Sequence, residues 1–76
     1  MTPNTLEQAG VALYGPRWQT DLARALGVAD RTMRRWANGV NPIPAGLAAE
    51  ILVLLDARTQ EIENVRTALR ESQETQ

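Results

Sequence analysis

From Ala45 to Glu71 the chain contains no proline, and its only glycine in that stretch, Gly46, falls in the first turn. These 27 residues can therefore run as one helix reaching ~40 Å. In a chain of 76 residues that element dictates the architecture. The residues ahead of it must build a body much shorter than the helix, and a single small domain is all that the length allows. Their apolar residues recur at helical spacing, and no alternating strand pattern or internal repeat occurs. The expected class is all-α: a compact domain of four to five helices with a long C-terminal helix.

Thr5 followed by Gln8 has the form of a capping box, and Leu6, Ala9, Gly10 and Leu13 then fall on one face, predicting a first helix over about 5–14. Gly15 and Pro16 end it. A second helix is expected from about Gln19, with Leu22, Ala23 and Leu26 as its apolar stripe and Gly27 as its stop. After the short connection Gly27, Val28 and Ala29, Asp30 is the expected N-cap of a third helix. On it Met33, Trp36, Ala37 and Val40 form the core face. Asn38 and Gly39 close that helix, and Pro44 suits the first turn of the long one. The polar tail, residues 72–76, is expected to fray.

Cysteine and histidine are both absent, which removes disulfides, soft metal sites and the commonest nucleophile and base. The only serine is Ser72, in the tail, and no carboxylate pair sits in an evident pocket. No enzyme activity, cofactor, metal or small-molecule ligand is expected. The apolar run Ile51–Leu55 is far short of the ~20 residues of a membrane span, and no basic and apolar signal segment opens the chain, so a soluble cytoplasmic protein is expected.

The net charge of −1 conceals an asymmetry. Residues 1–44 carry five arginines against three carboxylates, a balance of +2; residues 45–76 carry three arginines against six carboxylates, a balance of −3. Every basic residue is arginine. That suits bidentate recognition of phosphate or guanine, and arginine-favouring codon usage is an equal explanation.

Two short helices joined by a glycine-led turn make a helix-turn-helix arrangement, in which the second helix enters the DNA major groove. The segment is Gln19 to Asn38. Counted from Gln19, the fifth residue is the small Ala23, where two helices cross closely, and the ninth is Gly27, which supplies a positive φ. Apolar Leu22, Leu26, Val28, Met33 and Trp36 stand fourth, eighth, tenth, fifteenth and eighteenth. On a helical wheel Arg31, Arg35 and Asn38 lie opposite Met33, with Arg34 and Thr32 flanking them. Trp36 belongs to the core face, and Trp18 is expected to pack beside the first helix.

The words WQTDLARALGV and DRTMRRWANG, with their flanking helices over about residues 5–57, resemble the Cro and phage-repressor helix-turn-helix family, also called the xenobiotic-response-element family. The anti-CRISPR-associated regulators are one group of this size and build. The sequence departs from the family pattern at Trp18 and Ala29, where polar caps are usual. The resemblance implies a helix-turn-helix domain over 1–57 and a sequence-specific regulator of transcription, most simply a repressor that occludes a promoter, its own among the candidates. It further implies base readout by Arg31, Thr32, Arg34 and Arg35, and phosphate contacts by Arg17, Gln19 and Thr20; Asn38 suits either role. A rival reading is a protein-interaction module, such as an antitoxin or a phage-encoded inhibitor, using the acidic C-terminal helix.

That helix, over 45–71, carries a second pattern. Ala48, Ile51, Leu55, Arg58, Ile62, Val65 and Leu69 follow a 3-4 spacing broken only by Arg58. The distal part, 58–71, is expected to join a homodimer on a palindromic double-stranded DNA operator, with Ile51, Leu55, Arg58, Ile62, Val65 and Leu69 at the interface. In that frame Glu61 and Arg66 have the spacing at which parallel chains exchange ion pairs. The alternative is a long helix folded back on its own domain.

Overall fold

The computed structural model describes residues 1–74. It is all-helical, with four helices: α1 (Pro3–Tyr14), α2 (Trp18–Leu26), α3 (Asp30–Ala37) and α4 (Leu47–Glu74). The molecule measures 54 × 22 × 20 Å. Its long dimension comes from α4, whose 28 residues span ~42 Å. No strand occurs among the described residues.

Each helix boundary has a local cause. α1 starts two residues earlier than the capping-box reading places it, because Thr2 rather than Thr5 is the N-cap. Thr2 Oγ1 accepts a hydrogen bond from the Thr5 backbone N–H at 3.1 Å, and Pro3 holds the first helical position, where its missing N–H costs nothing. α2 and α3 end in the same way. Gly27 N–H donates to the Arg24 carbonyl and Val28 N–H to that of Ala23; Gly39 N–H donates to the Trp36 carbonyl and Val40 N–H to that of Arg35. These are two Schellman motifs, and each needs the left-handed backbone that Gly27 (φ 72°) and Gly39 (φ 74°) adopt.

Three further expectations change here. Ala29, not Asp30, is the N-cap of α3, so Asp30 becomes its first residue and meets the positive end of the helix dipole with its charge. Val40 is 68% exposed rather than buried. It follows the reversal at Gly39, so the α3 wheel no longer applies to it. Pro44 lies ahead of α4, with its carbonyl accepting from Leu47 N–H at 3.1 Å. At the other end α4 runs through Ser72, Gln73 and Glu74; Thr75 and Gln76, the rest of the tail expected to fray, lie outside the described residues.

The core is one cluster of Leu6, Leu13, Trp18, Leu22, Ala23, Met33, Trp36, Leu47 and Ile51. Leu6, Leu22 and Met33 are fully buried, each burial stabilising by about 1.5–3 kcal/mol. α1 is the central element: it packs on α2, α3 and α4, and α4 is held chiefly by α1. Ile51, expected at a dimer interface, is 3% exposed and belongs to this core. The first two turns of α4 are therefore spent on the chain's own body.

Candidate nucleic-acid interface

The placement of α3 follows from two side chains. Met33 and Trp36 are buried three residues apart and anchor the inner face of the helix to α1 and α2. Arg31, Arg34, Arg35 and Asn38 are consequently turned out, and all four are exposed. Thr32, at the edge of the buried face, is half-buried, so its side chain has less reach than the arginines. None of Arg31, Arg34 and Arg35 forms an ion pair among the described residues. Arg34 and Arg35 also occupy the last turn of α3, where a positive charge meets the negative end of the helix dipole. Asn38 is the C-cap, held by its N–H to the Arg34 carbonyl at 2.9 Å, with its side chain in solvent.

α2 is fixed relative to α1 by a close contact. The Trp18 indole lies directly on the backbone of Gly10, and a Cβ built on Gly10 would clash with Cε3, Cδ2 and Cγ of the ring. Trp18 is buried by this packing, as the sequence leads one to expect. The contact sets where α2 begins. Arg17 is its N-cap and supplies no side-chain hydrogen bond; Arg17 and Thr20 are exposed and Gln19 is half-buried. The first-turn amides of α2 thus lack the side-chain acceptor that Thr2 provides for α1. Ala29 likewise gives α3 no side-chain cap. Arg17 and Ala29 thus leave both helix starts without a side-chain cap. Arg24, exposed in the last turn of α2, is a further unpaired cation among the described residues that the motif reading did not single out.

Ala23, fully buried in α2, and the Gly27 turn hold α2 and α3 against each other. The spacing thus brings Arg31, Arg34, Arg35 and Asn38 together on one exposed side of one short helix. A planar guanidinium there has the donors to grip phosphate oxygens or the guanine O6 and N7 edge.

The remaining residues expected at an interface lie on α4. Leu55 and Arg58 are half-buried, while Ile62, Val65 and Leu69 are 49%, 59% and 63% exposed. Arg58 pairs with Glu61 at 3.4 Å, and its guanidinium lies 5.7 Å from the centre of the Tyr14 ring. Among the described residues, no group of histidine, cysteine, aspartate or glutamate side chains could hold a metal ion, and no helix is long and apolar enough to cross a membrane. No family model, curated protein or solved structure matches this chain.

Proposed function

We propose that this protein is a sequence-specific double-stranded DNA-binding regulator of transcription, a repressor that binds a palindromic operator as a homodimer through the major groove. The observation that carries the reading is the two-sided character of α3. Met33 and Trp36 lock one side into the core, and Arg31, Arg34, Arg35 and Asn38 stand exposed on the other. A helix with its side chains is ~10–12 Å across and fits a major groove ~12 Å wide. In this reading Arg31, Arg34 and Arg35 read bases, with Thr32 and Asn38 at the margin, while Arg17, Gln19 and Thr20 at the start of α2 meet phosphates and set the register. Anions are favoured at a helix start with free amides. The distal half of α4 brings two copies together, so that two such helices meet a two-fold operator. Occlusion of a promoter in the cytoplasm is the simplest mode of action.

The test is a gel-shift titration against DNA upstream of the protein's own gene, at ~150 mM salt with excess non-specific competitor, because non-specific binding falls steeply with salt. Competitor-resistant binding with a two-fold footprint is expected. Arg31→Ala with Arg35→Ala removes two base contacts worth ~1–3 kcal/mol each and should weaken specific binding about 30-fold or more. A double variant that bound and repressed at the wild-type level would refute the assignment of α3. Repression without DNA binding would move the search to protein partners of α4.

A further inference from the structure

Ile51, Leu55, Arg58, Ile62, Val65 and Leu69 form one stripe of α4, all within about 40° of Ile51 at ~100° per residue. α1 covers its first half. Thr5 and Ala9 line a shared groove with Ala48, Ile51, Leu52 and Leu55, and Tyr14 reaches Arg58. α1 therefore runs along α4 in the same direction and stops over Arg58. Beyond that point the same stripe continues bare through Ile62, Val65 and Leu69.

From this continuity we infer that a second copy of α4 covers the bare half and that it runs in the opposite direction. The inference rests on the homodimer reading above and assigns its geometry. What α1 shows is that a helix laid lengthwise is the element this stripe accepts. Among the described residues, the distal half of α4 is the one free helix end bearing three exposed large apolar residues at 3-4 spacing, so two copies match stripe to stripe.

Direction is decided by α1. In a parallel, in-register pair, both copies of α1 would have to lie between the two α4 helices at Ile51. Helices pack 8–10 Å apart, so the α4 axes would be ~25–30 Å apart at Ile51 yet in contact at Val65, only ~21 Å along the helix. Only a steep crossing satisfies that, and it would leave Ile62 and Leu69 largely uncovered. In an antiparallel pair centred between Val65 and Arg66, each C-terminal end stops near the other chain's Tyr14 and all three apolar residues are covered. Charge favours the other direction, since Glu61 and Arg66 flank the stripe on opposite sides and would face one another in a parallel pair. That preference is the weaker effect. Exposed ion pairs contribute little, and Glu61 and Arg66 already have partners on their own helix, Arg58 at 3.4 Å and Glu63 at 3.7 Å. The antiparallel pair sets the two bodies ~40 Å apart along the helix axis.

The chain has no cysteine, so single cysteines can report direction. Thr59→Cys and Gln73→Cys, both exposed and on the Arg66 side of the stripe, are carried on chains of different tag length, mixed, and treated with a bismaleimide of about 10 Å reach. The antiparallel pair places Thr59 beside Gln73 of the other copy and separates like positions by ~20 Å, so only the mixed product is expected. Same-variant products without the mixed one would overturn the direction and leave the homodimer standing. Absence of any product, with a monomer mass in sedimentation equilibrium, would overturn the homodimer reading and this inference with it.

Discussion

Replacing Gly10 with alanine tests the contact that positions α2. Glycine inside a helix costs about 0.5–1 kcal/mol relative to alanine, so propensity alone makes Gly10→Ala stabilising. The structure reverses the sign. The new methyl would press well inside van der Waals contact with the Trp18 indole, which is buried against a core that includes the fully buried Leu6 and Leu22. Ordinary carbon contacts need about 3.5–4.0 Å, so the ring must move by more than an ångström in a packed environment. Overpacking of this kind costs about 1–3 kcal/mol, and a rigid bicyclic neighbour puts it at the upper end. After the propensity gain, a net loss of about 2 kcal/mol is expected. For a domain of this size that lowers Tm by roughly 8–16 °C. Thermal melts by circular dichroism, at matched protein concentration because the proposed dimer would melt in a concentration-dependent way, measure it. Trp18→Leu in the same background supplies the cycle: with the indole gone, Gly10→Ala should be neutral or stabilising. An unchanged or raised Tm for Gly10→Ala in the wild-type background would refute the reasoning.

Thr2→Ala should cost about 1 kcal/mol through loss of the α1 cap, and Thr5→Ala less than half of that; urea denaturation of the two variants tells which threonine caps the helix. Gly27→Ala forces an L side chain into φ 72° and should lose about 1–2 kcal/mol, whereas Gly46→Ala, with open space around its Cβ and no positive φ, should stay within about 0.5 kcal/mol in the same assay. Val65→Asp places a charge on the exposed stripe of α4. In the proposed homodimer it should convert dimer to monomer in analytical ultracentrifugation while helical content measured by circular dichroism is kept, since Val65 is no part of the core.

The positions of the helices were legible in the sequence because their punctuation is local. Gly15, Gly27 and Gly39 each stop a helix for reasons contained in two or three residues, and the stretch after Gly46 offers nothing to break one. The inner and outer faces of α3 were legible too, since Met33 and Trp36 against Arg31, Arg35 and Asn38 is a matter of angle. Two positions differ from their local pattern. Thr2 competed with Thr5 for the α1 cap, and Pro3 at the first helical position settled it, a choice that the capping-box pattern does not weigh. Val40 lies past the end of α3, where the reversal at Gly39 interrupts the periodicity.

Periodicity states which residues share a face; it does not state what covers that face. Ile51 and Leu69 are five turns apart on the same stripe and look alike in the sequence, yet one is 3% and the other 63% exposed. Their difference comes from the length of α1, which spans only twelve residues and ends at Tyr14 above Arg58. The close seating of Trp18 on Gly10 is equally invisible from spacing, because it joins residues on two helices whose approach depends on the whole core. Local backbone chemistry and side-chain period thus determined the helices and their two-sided character. Only the tertiary packing decided where α4 stops belonging to its own domain, because burial is a property of the distance between elements and not of the order of residues within one.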